Sequence, residues 1–174
     1  MVSSWQASKF ARIAATAACT VLIIPLAKVG ALQSTQLFYW PGSARLIPIL
    51  DGLTAHGGRF LADNSPVPEY YLPHTSWRQW SSVYGITTPS GRRVAENSND
   101  LAPYAKEIKE GYFSVIVLGF SDKPQLDRSI ADYLENDKAY RLVATVPFSS
   151  RGDSGSYLVW QYDPQGSVPG GNSG

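Results

Sequence analysis

The chain has 174 residues, with 15 lysines and arginines against 14 aspartates and glutamates. This length suits one domain with a modest core plus an appendage, and the near-neutral charge gives no indication of nucleic-acid binding. A single cysteine excludes an intramolecular disulfide, and with only two histidines the sequence predicts no metal site and no cofactor.

Residues 13–27 form an apolar stretch without charge, flanked by Arg12 and Lys28. As a helix this stretch spans roughly 22 Å, short of the ~30 Å hydrocarbon core of a bilayer. If the two flanking side chains extend to the headgroups, residues 10–32 form a single transmembrane helix. The alternative is a signal peptide cleaved near residues 29–31. In either case Lys9 and Arg12 place residues 1–9 in the cytoplasm and the remainder outside the cell membrane.

Residues 33–162 are predicted to form an extracytoplasmic α/β domain, which begins with an amphipathic helix from Ser43 to the glycines at 57–58. A short strand follows in "RFLAD", and a short helix begins at Pro66. The stretch "HTSWRQWSSVYGITTPSGRRVAENSN" is predicted to be an irregular loop.

The second half of the domain has clearer patterns. "NDLAPYAKEIKEG" predicts a helix, "FSVIVLGF" a buried strand, and "KPQLDRSIADYLEN" a helix in which Asp127 and Arg128 form a solvated pair. "YRLVATVPF" and "SYLVWQY" alternate as the strands of a hairpin, and residues 163–174 are predicted to be disordered. The order of elements predicts a small three-layer α/β sheet with flanking helices and a C-terminal hairpin.

The hairpin turn, "SSRGDSG", contains the Arg-Gly-Asp of adhesion proteins and the Gly-Asp-Ser-Gly of trypsin-like proteases. His56, Asp100 and Ser154 also follow the chain order of a trypsin-like triad. However, His56 falls in the last turn of one predicted helix and Asp100 at the start of another, where such an enzyme needs barrel strands. We interpret the stretch as a turn, and the protease is the least favoured alternative.

From Arg45 to Tyr162 the order of features resembles the extracytoplasmic C-terminal domain of actinobacterial membrane glycosyltransferases of the protein-O-mannosyltransferase-like class. The segments that carry the resemblance are "GRFLADNSPVPEYYL", "IKEGYFSVIVLGFSD", "LDRSIADYLENDKAYRLVATVPF" and "GSYLVWQY". The resemblance implies use of polyprenyl-phosphate-sugar donors and a partner in the form of a multi-spanning membrane domain, which carries the chemistry in that class. This chain has at most one span and no acidic residue before Asp51. We therefore expect a non-catalytic accessory domain that does not transfer sugar alone.

Several polar and aromatic residues follow the first predicted strand at its carboxyl end, where open α/β sheets bind ligands. The candidate ligand-binding residues are Asp63, Glu69, Tyr70, Tyr71, Trp77 and Trp80. The other interpretation is that these aromatics complete a small core or rest on a membrane surface. No catalytic residue is assigned, and a stand-alone secreted or membrane-anchored glycan-binding module is the alternative function.

Overall fold

The computed structural model describes residues 40–63, 66–96, 99–150 and 153–164, apart from the side chains of Pro66, Ser150 and Asp153. The segments 1–9 and 10–32, predicted as cytoplasmic and transmembrane, lie outside the described residues, as does most of the tail. The described helices are α1 (Ser43–Thr54), α2 (Pro66–Tyr71), α3 (Ala102–Lys109) and α4 (Pro124–Asn136). The described strands are β1 (Phe60–Ala62), β2 (Trp80–Ser82), β3 (Ile86–Thr87), β4 (Arg93–Val94), β5 (Val115–Leu118), β6 (Tyr140–Ser150) and β7 (Asp153–Tyr162).

Five strands form one mixed sheet in the order β2-β1-β5-β7-β6, while β3 and β4 form a separate antiparallel pair. Strands β2, β1 and β5 are parallel, with Phe60 opposite both Trp80 and Val115. Strand β7 runs antiparallel to β5 and pairs with β6 as a long hairpin, which has a register shift between Leu142 and Ala144. The sheet is therefore parallel in one half and antiparallel in the other.

Both faces of the sheet are covered, because alternate strand residues point to opposite sides. On one face, Leu61 and Ile116 pack with the apolar stripes of α3 and α4. On the other face, Phe60 and Val115 pack with Leu46 of α1. The architecture is a three-layer α/β sandwich, as the sequence predicted.

The strand order reverses between β1 and β5. The chain passes from β1 to β2 on one side, and later returns to β5 on the other side of β1. Helices that leave two neighbouring parallel strands in opposite directions open a crevice at the carboxyl ends of those strands. We call this end of the parallel strands, marked by Asp63 and Gly119, the carboxyl edge. The opposite end, marked by Arg59 and Ser114, is the amino edge.

Most predicted elements are confirmed, including α1, α3, α4, β5 and the hairpin. The predicted turn is too long, because residues 149–150 and 153–155 pair within β6 and β7, while residues 151–152 lie outside the described residues. The prediction of an irregular loop is wrong in three places: Trp80–Ser82 forms the edge strand β2, and Ile86–Thr87 and Arg93–Val94 form the pair β3–β4. The two serines of β2 are buried, and the Ser81 hydroxyl accepts a hydrogen bond from the Thr87 N–H at 2.8 Å.

A trypsin-like protease is built from two antiparallel barrels, whereas the described part of this chain contains a five-stranded mixed sheet between helices and a separate two-stranded pair. In that same part, no helix is both long enough and apolar enough to cross a bilayer.

Candidate functional site

The centre of the carboxyl edge is a pair of buried carboxyl groups. Asp63 follows β1 and is 7 % exposed, while Asp127 in the first turn of α4 is fully buried. The prediction of a solvated Asp127–Arg128 pair is therefore wrong for Asp127. A helical periodicity explains the difference, because Asp127 stands in line with Ile130, Ala131 and Leu134, all of which are buried.

The loop after β5 wraps around these two carboxyl groups with its backbone. Asp63 Oδ2 accepts hydrogen bonds from the N–H groups of Gly119 at 3.0 Å and Ser121 at 3.3 Å, and from the Ser121 hydroxyl at 3.3 Å. Asp127 Oδ2 accepts the N–H of Phe120 at 3.0 Å. Three consecutive N–H groups that converge in this way form an anion-binding concavity. Here the chain fills the concavity with its own side chains.

Two features of the loop backbone make this convergence possible. Phe120 has a φ of 61°, in the left-handed region that non-glycine residues rarely occupy. A Cβ on Gly119 would lie 2.7 Å from the Tyr157 ring and 2.9 Å from Asp63 Oδ2, so only glycine fits. Strain of this kind persists where the surrounding contacts fix the backbone, and here it places the donors on the carboxyl groups.

Burial and mutual repulsion favour a proton on the carboxyl pair, because both effects raise the pKa of Asp127. Burial, followed by the negative charge of Asp63, raises the pKa of Asp127 to about 8. Burial also raises the pKa of Asp63, although the Gly119 N–H opposes this effect. The Oδ1 atom of each side chain is buried and has no hydrogen-bond partner among the described residues. A proton on Asp127 removes the repulsion between the two groups, as in other carboxyl pairs that cannot both ionise.

A row of aromatic rings leads from the surface to this pair. Tyr70 is 58 % exposed, and its ring lies 5.3 Å from that of Tyr71. Tyr71 contacts Trp40 at 6.3 Å between ring centroids, and Trp40 contacts Tyr157 at 5.5 Å. Tyr157 in turn borders Gly119. The row joins Asp63, Tyr70 and Tyr71, three of the residues that the sequence singled out.

The other side of the carboxyl edge is a shallow cleft of about 290 Å³, lined by Asn99, Asp122, Lys123, Pro124, Gln125 and Leu126. The half-exposed ring of Tyr84 adjoins it, with Lys123 Nζ 5.1 Å from the ring centroid. Burial and the charge of Asp122 raise the pKa of the Tyr84 hydroxyl. Two larger clefts lie elsewhere, beside Phe148 and beside Tyr133. We select the smaller one because it adjoins the carboxyl pair.

The remaining candidates from the sequence lie apart from this cleft. Glu69 is half-buried on α2. Trp80 is 1 % exposed and packs on Phe60, with 4.8 Å between ring centroids. Trp77 precedes β2 and so lies at the amino edge, opposite Asp63. The sequence did not predict a site at Tyr84, Asp122 and Lys123. Tyr84 is far in the chain from the adjacent residues Asp122 and Lys123, and only the fold brings it to them.

The described residues contain no group of three or more histidine, cysteine, aspartate or glutamate side chains arranged to hold a metal ion. Comparisons with protein-family models, curated proteins and solved structures find no match to this chain.

Proposed function

We propose that this chain is a non-catalytic, extracytoplasmic recognition domain of, or derived from, a polyprenyl-phosphate-sugar-dependent membrane glycosyltransferase. In this proposal the domain is tethered to the cell membrane by residues 10–32 and binds a hydroxyl-bearing acceptor, such as a neutral saccharide, at the cleft beside Tyr84. The link to the glycosyltransferase rests on the sequence resemblance, and the choice of ligand rests on the geometry of the carboxyl edge.

The choice of ligand rests on one observation: the side chains of Asp63 and Asp127 already occupy the anion-binding concavity. The N–H groups of residues 119–121 already bind Asp63 and Asp127, so they are not available to a phosphate. Asp122 adds a further negative charge at the rim. What remains around Tyr84 is a carboxylate, an ammonium group and two amides, which together donate and accept hydrogen bonds. These groups suit uncharged hydroxyls.

The burial of the carboxyl pair supports a binding role over a catalytic one. A general acid or base must come within hydrogen-bond distance of the proton that it transfers. Asp127 is fully buried, and Asp63 Oδ2 already accepts three hydrogen bonds from the loop. In this arrangement the pair fixes the loop that forms one wall of the cleft.

A stand-alone glycan-binding module remains the second candidate, because the same cleft serves it equally well. The two functions differ in their partner. An accessory domain should co-purify with a multi-spanning membrane protein after mild detergent extraction, and it should retain residues 10–32. A secreted module should begin after residue 31 and purify alone.

The test is an amide NMR titration of the full chain in detergent micelles, with neutral manno-oligosaccharides and with polyprenyl-phosphate headgroup analogues. We expect neutral saccharides to shift the signals of Tyr84, Asp122 and Lys123, and Tyr84→Ala to abolish those shifts. Lys138→Ala, at an exposed position after the end of α4, is the control and should leave them unchanged. Unchanged spectra from a folded sample, or shifts confined to the amino edge, would refute the assignment of the cleft.

A further inference from the structure

The amino edge of the sheet carries a second surface, whose chemistry is opposite to that of the carboxyl edge. It consists of Arg59, Trp77, Arg78, Gly91 and Arg92, and we call it the Trp77 patch. These residues come from the segment before β1, the segment before β2 and the turn between β3 and β4. Their proximity is therefore a product of the fold and not of the sequence.

Arg59 is held in a fixed position at the base of the patch. Its guanidinium donates hydrogen bonds to the backbone oxygens of Arg78 at 2.7 Å and Thr88 at 3.4 Å. It also lies over the ring of Tyr112, 5.7 Å from the centroid. The turn that it reaches is itself ordered, because Thr88 accepts hydrogen bonds from the backbone of Gly91 and Arg92.

Trp77 is exposed yet fixed. Its side chain is 53 % exposed, and the Arg78 guanidinium lies 5.2 Å from its ring centroid. Gly91 has a φ of 81°, and a Cβ there would lie 3.1 Å from Trp77 Cη2. The turn therefore packs closely against the indole edge and leaves about half of the side chain open to a ligand.

The three guanidinium groups are not neutralised within the described part of the chain. None of Arg59, Arg78 and Arg92 forms an ion pair with an acidic side chain there. Arg78 and Arg92 are exposed. A planar guanidinium binds a carboxylate or a phosphate through two parallel hydrogen bonds.

We propose that the Trp77 patch binds a saccharide that carries a carboxylate or phosphate group, with the sugar ring against the indole and the anionic group on Arg78 and Arg92. This goes beyond the proposed function, which places a neutral ligand at the opposite edge.

The composition of the patch favours a saccharide over a membrane surface. Anionic membranes attract basic clusters without directional contacts, and apolar side chains must insert for stable binding. Trp77 is the one large exposed hydrophobic side chain of the patch, and it is flanked by a guanidinium and a tight turn. The indole of Trp77 and the guanidinium of Arg78 beside it are held in place, and this arrangement suits a ligand of defined shape.

The experiment is isothermal titration calorimetry of the full chain in detergent micelles at low and moderate salt. One arm compares tetragalacturonate with its neutral methyl ester, and the other compares maltotetraose 6-phosphate with maltotetraose. Binding of the charged member of either pair is expected, and the arm in which it occurs identifies the anionic group. We expect Arg78→Gln and Arg92→Gln each to weaken it about tenfold, and Trp77→Ala about fivefold. Raising the salt should weaken it further.

Arg128→Gln, which removes an exposed charge from α4, is the control and should bind as the parent does. Tyr84→Ala separates the two sites, since it should leave this binding intact even if the proposed neutral site fails. Equal binding of polyglutamate would overturn the proposal in favour of unspecific charge attraction. Equal binding of the charged and neutral saccharides would also overturn it, as would tight binding that survives loss of both Arg78 and Trp77.

Discussion

The charged side chains at the two edges of the sheet differ in their burial and in their partners. At the carboxyl edge, Asp63 and Asp127 are buried and accept hydrogen bonds from backbone N–H groups, and burial favours a proton on Asp127. At the amino edge, Arg78 and Arg92 are exposed and have no acidic partner among the described residues. Buried charges influence stability far more than exposed ones. The comparison therefore separates a charge cluster that stabilises the fold from one that is available to a partner.

Asp63→Ala is the most direct test of whether the buried carboxyl pair stabilises the fold. The substitution leaves the N–H groups of Gly119 and Ser121 without an acceptor. We expect the free energy of unfolding to fall by about 2–4 kcal/mol, because N–H groups of the loop lose their charged acceptor. Urea denaturation at pH 6 measures it. Asp132→Ala, on the exposed side of α4, is the control and should change stability by less than about 0.5 kcal/mol.

Gly119→Ala tests the packing of the same loop without any change of charge. The added methyl group would overlap the Tyr157 ring and Asp63 Oδ2. We expect a loss of about 1–3 kcal/mol from overpacking. Gly52→Ala in α1 is the matched control, because its Cβ meets no atom within 4 Å, and there alanine should add about 0.5–1 kcal/mol. If the two substitutions changed the free energy of unfolding equally, the loop would have to move at little cost to accommodate the methyl group.

The proton on Asp127 predicts a pH dependence of stability. Asp127 ionises near 3.8 when unfolded, but when folded it keeps its proton up to about pH 8. Between these values the folded state binds more protons, so the free energy of unfolding falls as the pH rises and levels off above pH 8. One proton gives at most about 1.4 kcal/mol per pH unit, and the raised pKa of Asp63 acts in the same direction. Urea midpoints from pH 4 to 9 measure this slope.

Asp127→Asn identifies the group responsible for that slope. The amide imitates the protonated acid, since it is uncharged and still accepts a hydrogen bond from the Phe120 N–H. We expect a flatter pH profile with little loss of stability at pH 7. An unchanged slope in this variant would assign the proton to another group.

At the amino edge, Arg59→Gln should have a smaller effect on stability. It removes hydrogen bonds to the backbone oxygens of Arg78 and Thr88, but water can reach this edge and replace part of them. We expect a loss of about 1 kcal/mol, measured by urea denaturation. Arg78→Gln is the comparison and should cost less than about 0.5 kcal/mol. A loss at Arg59 as large as that at Asp63 would remove the distinction between the edges.

The sequence predicted the elements with strong periodicity and missed those that depend on partners distant in the chain. The helix α4 and the hairpin β6–β7 follow from local patterns of apolar residues. Strand β2 contains two serines, whose polar groups looked typical of a loop. They are tolerated inside because neighbouring segments satisfy them, as the Thr87 N–H does for Ser81.

The candidate site was predicted only in part, for the same reason. The rule that ligands bind at the carboxyl ends of parallel strands led to Asp63, Tyr70 and Tyr71. It did not lead to Asp127, because an aspartate beside an arginine in a helix usually faces water. Trp77 and Trp80 are close in sequence to Asp63, but the strand that contains Trp80 carries both tryptophans to the opposite edge. Sequence distance was therefore a poor guide to spatial distance there.

The strand order also has a consequence for the folding pathway. Strands β6 and β7 are separated by only two residues in the chain, so their pairing is local and should form early. The pairing of Phe60 with Val115 instead joins residues that are far apart in the chain, and closing such a loop carries a larger entropic cost. We expect the hairpin with α4 to form first and the parallel strands to dock onto it afterwards. The hydrogen bond from Gly119 to Asp63 would then appear last, so protection of the Gly119 amide from hydrogen exchange should report completed folding.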